Sequence, residues 1–527
     1  MAVLHPASSA LKAHVTKIYG PPGTGKTTKL IALLKDEIKR GTARKSIAYI
    51  SHTRAANEVI IERLQDDGVI GSNAARDAPW FRTIHSACLR LIGGQGSVIV
   101  PRYDYRRFTR QEKLILSPDD IADVLYSQRT DDYSVVLAAY SLAANRMCSI
   151  EEAVASMEPN PLLVPTKREY FMKRWREFKK HEGKVDFLDM LTQYAEGDYE
   201  PLPCSVVFID EAQDLSDLQW KIVMKMCQRA ERIYIAGDDD QAIYGFIGGS
   251  EFGFYRFPAH EEIVLEQSYR VPRVIGEQAS QVIQSLKERK QKNVRWLDKP
   301  GSVELFPHGE FELDWRAWRA ENKSVMFLHR HRKGQNDAAS ALRDFGVPHL
   351  SAGESLVETD EGKAFCAVLR LRMGEVVRPN VVADLYKLAG DRVEEKRVRS
   401  LGAKDRKLML SIKDVKKLPL QGNWYAPFVN DNRHAARIFS DLDRILHRGG
   451  AEALLSVPNV HISTMHAAKG KEADVVIISP DCNEVVKKNM NLPAEVRLAY
   501  VALTRAKEKV IVFPNRTGQE ITHFRRK

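Results

Sequence analysis

The sequence predicts an α/β fold built on parallel β-sheets. Apolar runs of five or six residues alternate with helical stretches along most of the chain, which is the pattern of strands joined by crossover helices. The predicted strands cover residues 46–50, 205–209, 232–236, 262–266, 324–328, 460–464, 474–479 and 509–513. At 527 residues the chain is too long for one hydrophobic core, so we expect several domains.

Composition bounds the class of protein. Hydrophobic residues make up 44% of the chain and charged residues 28%, which is ordinary for a soluble globular protein. No apolar run reaches about 18 residues, and the first residues lack the apolar core of a signal peptide, so we expect no membrane association. Six cysteines without a C-x-x-C pair predict reduced thiols in a cytoplasmic compartment, with no zinc or iron–sulfur site. The net charge of +11 is compatible with a polyanionic partner, although many proteins without one are as basic.

A glycine-rich turn follows the first apolar run, in HVTKIYGPPGTGKTTKLIALL (14–34). It satisfies the pattern G-x-x-x-x-G-K-[ST], in which backbone N–H groups at a helix N-terminus surround phosphate oxygens. Lys26 is expected to reach the β- and γ-phosphates, and Thr27 to bind Mg²⁺. The residues expected around the phosphates are Gly20, Pro21, Pro22, Gly23, Thr24, Gly25, Lys26, Thr27 and Thr28. The sequence therefore predicts a nucleotide site with Mg²⁺ as cofactor.

An acidic pair ends the buried run in CSVVFIDEAQDLSDLQW (204–220). Parallel sheets bind ligands at the carboxyl ends of their strands, where Asp210 and Glu211 fall. Asp210 is expected to bind Mg²⁺, and Glu211 to orient and deprotonate the attacking water. The alternative interpretation is a solvated acidic turn. The P-loop upstream makes this interpretation the less favoured of the two. Because a kinase needs no water-activating glutamate, hydrolysis is favoured over phosphoryl transfer to a metabolite.

Eight motifs follow one another along nearly the whole chain. After the P-loop they are SHTRAANE, TIHSACLRL, DEAQD, GDDDQAIYGF, EQSYR, STMHAAKGKEADVV and YVALTRAKEKV. In this order they resemble the motifs of the UvrD/Rep-like branch of superfamily 1 DNA helicases, from about residue 16 to residue 515. The resemblance implies two RecA-like parallel-sheet P-loop domains, each with a mostly helical insertion, and an enzyme that hydrolyses ATP.

The stretch IYIAGDDDQAIYGFIGG (233–249) carries an amide and an aromatic ring a few residues apart. In the family that it resembles, the glutamine contacts the γ-phosphate and the aromatic stacks on a base of single-stranded nucleic acid, which implies these roles for Gln241 and Phe246. An aromatic face supplies sequence-tolerant stacking of ~1–3 kcal/mol per base. The alternative for Phe246 is a place in the hydrophobic core. The family more often has Trp here, and Ile247 replaces a residue that is usually basic.

Two arginines complete the nucleotide site that the resemblance implies. Arg270 of EQSYR and Arg505 of VALTRAKEK are similar to arginines that reach the γ-phosphate from the second RecA-like domain. Tyr269 is similar to a tyrosine that stacks on adenine, and Glu472 resembles the ribose-contacting glutamate. Family members read adenine with an N-terminal glutamine, but none precedes Gly20, so adenine selectivity is either relaxed or supplied by another contact.

The remaining motifs resemble those that hold nucleic acid. The candidate contacts are Thr53, Arg54, Thr83, His85, Thr464 and His466, together with Phe246. Phosphate contacts by arginine and threonine make binding salt-dependent and largely independent of sequence. His85 is explained equally well as a structural histidine. Where the family has a stacking aromatic this chain has Ser51, and the neighbouring His52 could substitute for it.

The motif positions divide the chain into domains. The predicted boundaries give a first RecA-like domain at 1–93 and 193–260, a helical insertion at 94–192, a second RecA-like domain at 261–370 and 455–527, and a shortened insertion at 371–454. In the first insertion, Phe171, Trp175 and Phe178 fall on one helix face, which fits packing on its own domain or, as the alternative, a platform for DNA. The second insertion has ten basic and five acidic residues at 391–417, which fits a solvated face or a duplex-contacting surface.

We therefore expect an ATP- and Mg²⁺-dependent translocase on single-stranded DNA that unwinds duplexes at single-strand junctions. The resemblance implies 3′→5′ movement and a role in DNA replication, repair or recombination, and we expect a monomeric motor. Three alternatives stay open: an RNA-directed helicase, a nucleic-acid-binding assembly protein with a vestigial nucleotide site, and a translocase that strips proteins from DNA but unwinds poorly.

Overall fold

The chain folds into two compact units. The structure, a computed structural model, describes residues 12–51, 53–94, 97–117, 124, 130–250, 252–305, 315–351, 354–388, 391–405, 407–415, 433–456, 458–513 and 522–524. The first unit comprises Met1–Pro300 and Asn489–Thr504, and the second comprises Gly301–Lys488 and Arg505–Lys527.

A six-stranded parallel sheet forms the centre of the first unit. The strands of this unit are β1 (His14–Tyr19), β2 (Ile47–Ser51), β3 (Phe81–Thr83), β4 (Ser97–Val98), β5 (Lys184–Val185), β6 (Val206–Ile209), β7 (Arg232–Gly237), β8 (Glu261–Val264), β9 (Gln267–Pro272) and β10 (Arg295–Leu297). The sheet has the order β3–β2–β6–β7–β1–β8, and β4–β5 and β9–β10 form separate pairs. Successive residues of its central strands enter two different hydrophobic clusters, so helices cover both faces of the sheet.

Helices follow most of these strands. In the first unit they are α1 (Lys26–Lys39), α2 (Arg54–Asp66), α3 (Ala74–Asp77), α4 (Ile84–Leu91), α5 (Pro101–Glu112), α6 (Ser134–Arg146), α7 (Ile150–Ala155), α8 (Pro165–Glu182), α9 (Phe187–Glu196), α10 (Asp217–Met226), α11 (Gly253–Arg256) and α12 (Arg273–Ile283). Short 3₁₀ helices cover Arg44–Ser46, Ala212–Asp214, Cys227–Arg229, Asp239–Gln241 and Gly245–Ile247. Thr53 and Thr83 cap the N-termini of α2 and α4, where their hydroxyl oxygens accept backbone hydrogen bonds.

The insertion between β3 and β6 has a hydrophobic core of its own. Phe171 and Trp175 of α8 are fully buried there, and Phe178 is 5% exposed. Their rings surround Phe108 of α5 at centroid distances of 5.1–5.7 Å. The apolar face of α8 therefore packs within its own subdomain, as the first of the two sequence interpretations predicts.

The second unit contains a seven-stranded sheet. Its strands are β11 (Ser302–Leu305), β12 (Val325–His329), β13 (Leu350–Ser351), β14 (Glu354–Ser355), β15 (Val460–Thr464), β16 (Ala473–Ile478) and β17 (Ala506–Val512). They have the order β11–β17–β16–β12–β15–β13–β14, and every pair except β13–β14 is parallel. All eight strands predicted from apolar runs are present across the two sheets, with ends within three residues of the predicted ones. The predicted α/β class with two parallel sheets is confirmed.

Helices cover the second sheet and form its insertion. They are α13 (Trp315–Ala320), α14 (Arg332–Asp344), α15 (Asp360–Arg372), α16 (Pro379–Leu388), α17 (Arg392–Lys404), α18 (Arg433–Leu455, interrupted at Gly450) and α19 (Glu484–Lys488), with 3₁₀ helices at Leu356–Glu358, Ile412–Asp414 and Thr522–Phe524. In the basic helix α17, Val398 is buried, and Arg397 and Arg399 pair with carboxylates of the same helix. A last helix, α20 (Pro493–Leu503), belongs to the first unit.

The two units divide the chain differently from the predicted boundaries. Strand β8 pairs with β1 at the edge of the first sheet, although the sequence prediction places residues 261–264 in the second domain. The first unit also contains residues 265–300 and 489–504. Within these two segments, α12 packs against α20. The motif EQSYR, predicted to lie in the second domain, is therefore part of the first unit.

Among the described residues, no helix is both long and apolar enough to cross a bilayer.

Candidate nucleotide and nucleic-acid sites

The loops that carry most of the predicted site residues lie at one edge of the first sheet. The P-loop follows β1, the acidic pair follows β6, and the turn with Gln241 follows β7. These three strands are neighbours in a parallel sheet, so their carboxyl ends bring the nucleotide residues together. Thr53 follows β2 and Thr83 ends β3, and these two strands continue the same edge to one side.

The P-loop has the backbone shape that phosphate binding requires. Gly23 and Gly25 adopt positive φ angles of 75° and 79°, which favour glycine. The loop residues are Gly20, Pro21, Pro22, Gly23, Thr24 and Gly25, and Lys26, Thr27 and Thr28 begin α1. The Lys26 ammonium donates a 2.9 Å hydrogen bond to the carbonyl of Gly20, so it lies over the loop. The loop therefore fits a bound phosphate chain, with its lysine and helix N-terminus on the same side.

Strand β9 contacts the P-loop through two hydrogen bonds. The Ser268 hydroxyl donates a 2.8 Å hydrogen bond to the carbonyl of Pro22, and the Tyr269 N–H donates a 2.9 Å bond to the carbonyl of Gly23. A Cβ atom on Gly23 would lie 2.6 Å from Cβ of Arg270, so only glycine fits at this contact. The resemblance implied that Arg270 approaches from the second domain, but here it lies beside the P-loop within the first unit.

Thr27 and Asp210 form an oxygen pair suited to Mg²⁺. The Thr27 hydroxyl donates a 3.1 Å hydrogen bond to Oδ2 of Asp210, which also accepts a 2.8 Å bond from the hydroxyl of Tyr49. Burial and the neighbouring Glu211 raise the pKa of Asp210 to about 6. A hydroxyl and a carboxylate are ligands that Mg²⁺ prefers, and a buried carboxylate with a raised pKa gains most from a cation. The residues present therefore fit this metal.

Glu211 is held in an unusual backbone conformation beside the P-loop. Its φ angle is 54°, in the left-handed region that non-glycine residues seldom adopt. Its Oε1 lies 4.0 Å from Nζ of Lys26, and its side chain is 34% exposed. A partly exposed carboxylate next to the phosphate-binding lysine has access to water, as a general base requires.

Gln213 links the acidic pair to the neighbouring turn. Its Nε2 donates a 2.6 Å hydrogen bond to Oε2 of Glu211, and its Oε1 accepts a 2.9 Å bond from the N–H of Asp238. Asp238 in turn accepts a 2.6 Å bond from Nε2 of Gln241. Glu211 and Gln241 are therefore joined through two intervening side chains and one backbone amide.

The other predicted nucleotide contacts are distributed over both units. In the first unit Tyr269 is 72% exposed, and the Arg270 guanidinium donates a 3.2 Å hydrogen bond to the carbonyl of Thr504. In the second unit Arg505 is 2% exposed and donates to the carbonyl of Lys471 at 3.4 Å. Also in that unit, Glu472 forms a 2.9 Å ion pair with Lys507.

The loop that carries Phe246 rests on the insertion helix α6. Phe246 lies in the 3₁₀ turn Gly245–Ile247, and its side chain is outside the part of the chain that the structure describes. Arg146 donates to the carbonyl of Gly245 at 3.3 Å, and Asn145 donates to the carbonyl of Ile247 at 3.5 Å. A Cβ atom on Gly248 would lie 2.5 Å from Cβ of Asn145, so helix and loop are in close contact.

The remaining nucleic-acid candidates of the first unit lie at strand ends. Thr53 and Arg54 are exposed at the start of α2, whereas Ser51 is buried and His52 is outside the described residues. The ring of His85 makes an edge contact with Phe187 at 5.3 Å between centroids, and Phe187 is 50% exposed.

Thr464 and His466 lie together in the second unit. Thr464 ends β15, where its hydroxyl oxygen accepts a 3.1 Å hydrogen bond from the N–H of Ala467. Burial and nearby cations, chiefly Arg330, lower the pKa of His466 well below its usual value, so its imidazole is neutral at pH 7. A neutral histidine can donate one hydrogen bond to a phosphate or base but adds no charge.

Sequence reasoning missed several residues that shape these sites. Gln213 lies within the motif DEAQD, which gives it no role by itself, and Asn145 and Phe187 lie in the predicted insertion, away from the nucleotide motifs. An amide inside an acidic motif signals a hydrogen-bond bridge, so Gln213 could have been found. The contacts of Asn145 with Gly248 span about a hundred residues, so no local pattern predicts them.

Comparison with known proteins gives matches at both ends of the chain. Residues 6–260 match the model of the UvrD/REP helicase N-terminal domain, and residues 403–517 match that of the UvrD-like helicase C-terminal domain. The ATP-dependent DNA helicase PcrA of Staphylococcus epidermidis is 27% identical over 350 residues, covering 62% of this chain and 45% of the relative. PcrA of Staphylococcus aureus is 26% identical over 355 residues, with the same coverage.

The chain thus spans about half the length of these relatives. The two matched domain models nevertheless cover more than half of this chain, in the order expected for the family. With the P-loop, the acidic pair and the turn of Gln241 assembled on one sheet edge, the chain belongs to the UvrD/Rep-like helicase family.

Proposed function

We propose that this protein is an ATP-dependent translocase on single-stranded DNA that unwinds duplex DNA. The observation that carries the proposal is the assembled hydrolytic group of the first unit: Lys26 of the P-loop lies 4.0 Å from Glu211, and Thr27 is bonded to Asp210. In a vestigial nucleotide site we would not expect a general base, a phosphate-binding lysine and an oxygen pair for Mg²⁺ to be kept next to one another.

In the proposed reaction, each side chain has one task. Lys26 leaves the Gly20 carbonyl to donate to phosphate oxygens, and Thr27 and Asp210 hold Mg²⁺, which when bound neutralises phosphate charge. Glu211 accepts a proton as water adds to the γ-phosphorus and the bond to the β–γ bridging oxygen breaks, giving ADP and phosphate. Gln241, through its amide, senses the γ-phosphate.

Arginines and an aromatic complete the proposed nucleotide site. Arg270 and Arg505 stabilise the charge that develops on the transferred phosphoryl group, and an arginine in this role contributes ~10³–10⁵ in rate. Tyr269 stacks on adenine, which its 72% exposure supports. Glu472 contacts the ribose after releasing Lys507, its partner in the second unit.

The nucleic-acid side of the proposal rests on the loops next to this site. Phe246, in the turn that follows Gln241 by a few residues, stacks on a base, and the exposed Phe187 beside His85 offers a second ring for stacking. Thr53, Arg54 and Thr83 contact phosphates in the first unit, and Thr464 and His466 do so in the second. Because Gln241 and Phe246 are only five residues apart, a change in the bound nucleotide can alter how tightly the protein binds single-stranded DNA.

The finer features of the proposal come from the family. They are 3′→5′ movement, loading at single-strand–duplex junctions, action as a monomer and a role in DNA replication, repair or recombination. A cytoplasmic location is consistent with six cysteines that lie outside any disulfide bond and are all buried or half-buried.

Translocation kinetics test this function. Single-stranded DNA of increasing length, labelled at its 5′ or its 3′ end, is mixed with protein and ATP in a stopped-flow instrument. The proposal predicts a lag that grows with DNA length for the 5′ label only, since that is the end reached by 3′→5′ movement. A lag that appears only on RNA of the same sequence would favour the RNA-directed alternative, and length-independent signals on both polymers would refute translocation.

A further inference from the structure

The turn after β7 buries three consecutive carboxylates. Asp238, Asp239 and Asp240 are 0%, 2% and 2% exposed, and one oxygen of each lies within 4.8 Å of the others. Three anions cannot be buried together unless cations or hydrogen-bond donors compensate them. In many proteins such a group of oxygens would bind a metal ion.

Lys292 supplies that compensation from within the chain. Its Nζ lies 2.5 Å from Asp238 Oδ1, 2.6 Å from Asp239 Oδ1 and 2.8 Å from Asp240 Oδ2, and its side chain is 1% exposed. Burial alone would lower the pKa of Lys292, but the three aspartates outweigh it and raise that pKa. The ammonium therefore stays charged and fills the position between the carboxylates.

Arg289 and Lys290 complete the contact. Arg289 binds Asp240 with two parallel hydrogen bonds of 2.7 and 2.5 Å, and its side chain is 7% exposed. The backbone N–H of Lys290 donates a 2.7 Å bond to Oδ2 of Asp239. Residues 289–292 thus contact every carboxylate of the turn, and the bidentate pair adds a fixed direction to the attraction.

This clamp, defined as residues 289–292, is connected to both halves of the nucleotide site. The carboxylate of Asp238 that binds Lys292 through Oδ1 accepts the amide of Gln241 through Oδ2. Earlier in the same stretch of chain, Ser268 and Tyr269 bind the P-loop. One segment, 268–292, therefore holds the phosphate-binding loop at one end and the turn of Gln241 at the other.

We propose that Lys292 and Arg289 are positioning residues for ATP hydrolysis, which fix the turn Asp238–Gln241 and, through Asp238, the direction of the Gln241 amide. The inference rests on the proposed function and deepens it. Neither side chain touches the nucleotide in this proposal. The two cations offset the charge of two of the three carboxylates, which weakens the repulsion between the turn and a triphosphate.

Steady-state hydrolysis by Lys292→Met tests the role, since methionine keeps the length of the side chain and removes its charge. The main readout is the ratio of kcat with single-stranded DNA to kcat without it, in which the folded fraction cancels. We expect this ratio to fall at least fivefold, with the KM for ATP changed less than threefold. Lys287→Met, at an exposed lysine of the same segment, is the control and should match the wild type. A wild-type ratio in folded Lys292→Met would overturn the proposal.

A double-mutant cycle separates positioning from general support. If Lys292 acts through Gln241, adding Lys292→Met to Gln241→Ala should leave the ratio where Gln241→Ala alone puts it. If the double variant instead shows the product of the two single-variant effects on the ratio, the two residues act independently and the proposal is contradicted. Where Lys292→Met does not fold, as judged by circular dichroism, Arg289→Gln replaces it in the same cycle, with a threefold fall of the ratio expected and an unchanged ratio as the contradicting result.

The wild type and Lys287→Met keep the two levels of inference apart. If neither hydrolyses ATP with DNA present, the proposed function fails. If both do and the Lys292 and Arg289 variants behave like them, only the positioning role fails.

Discussion

Gln213 lies in hydrogen-bond contact with Glu211, at 2.6 Å between Nε2 and Oε2, and with its other amide atom it accepts the N–H of Asp238. A glutamine in this position fixes the direction of the proposed general base and connects it to the turn of Gln241. The same hydrogen bond holds the side chain of Glu211 in place and so helps to stabilise its left-handed backbone conformation.

Replacing Gln213 should impair the chemical step without impairing nucleotide binding. In Gln213→Leu the bridge is lost, and misorientation of Glu211 should lower kcat by about ten- to a hundredfold. The KM for ATP should stay within about threefold, because the P-loop contacts are intact. Gln228→Leu, at an exposed glutamine of the same unit, is the matched control. Equal kcat values for the two variants would contradict the role of the bridge.

The contact between Asn145 and the loop of Phe246 predicts an effect confined to DNA. Asn145→Ala removes the support of the Ile247 carbonyl and of Ser216, whose hydroxyl donates a 2.9 Å bond to Asn145. We expect several-fold weaker binding of single-stranded DNA in a fluorescence anisotropy titration, with basal hydrolysis unchanged. Ser141→Ala, one turn earlier on the same helix, should bind DNA like the wild type. Loss of basal hydrolysis in Asn145→Ala would show that the insertion supports the whole unit instead.

The raised pKa of Asp210 predicts competition between protons and Mg²⁺. In the folded, metal-free protein the pKa of Asp210 is about 6, above the ordinary value of 3.8. The carboxylate therefore binds a proton more readily when the protein is folded than when it is unfolded. Its contribution to stability is therefore unfavourable above pH 6 and is relieved as the pH falls toward 4. Mg²⁺ binds the ionised form, so its apparent affinity should weaken as the pH falls through about 6.

A titration of Mg²⁺-dependent binding of a fluorescent ATP analogue between pH 5.5 and 8 measures this competition. Asp36→Asn, at an exposed aspartate of α1, should keep the pH dependence of the wild type. Asp210→Asn should remove it, together with most of the Mg²⁺ requirement. A wild-type Mg²⁺ affinity that is constant across this range would contradict the assignment of Asp210.

Trp175 should carry much of the stability of the first insertion. Its ring is fully buried against Phe108, and its Nε1 donates a 3.0 Å hydrogen bond to Asp186. Trp175→Ala should lower the free energy of unfolding by about 3–5 kcal/mol. Tyr170→Ala, at a residue of the same helix that is 55% exposed, should change it by less than about 1 kcal/mol. Comparable losses in the two variants, measured by denaturant unfolding, would show that the aromatic cluster is not the core.

Local patterns predicted the sheets and the main chemistry of the site. Strands buried on both faces appear in the sequence as unbroken apolar runs, so all eight predicted strands were found. Parallel strands also share a carboxyl edge, which is why Asp210 and Glu211 could be placed at a ligand-binding edge from the sequence. The P-loop pattern predicted the role of Lys26, and the role of Gln241 was implied by the resemblance to the helicase family.

Contacts between distant segments could not be predicted in this way. The clamp on Asp238–Asp240 comes from about fifty residues further along the chain, and the packing of α12 on α20 joins segments about two hundred residues apart. Residues 261–300, with Arg270, belong to the first unit, where β8 pairs with β1 and Ser268 binds the P-loop. Such contacts depend on the complete fold, and a stretch such as 287–292, in which four of six residues are lysine or arginine, gives no local sign of them.

Steady-state ATP hydrolysis with and without single-stranded DNA, in the wild type and in Glu211→Gln, tests the central claim most directly. Coupling between Gln241 and the loop of Phe246 predicts strong stimulation of the wild type by DNA. Removal of the general base should lower the rate of the variant by about 10²–10⁴-fold under both conditions. Rapid hydrolysis that is indifferent to DNA, or a Glu211→Gln variant as active as the wild type, would contradict the account.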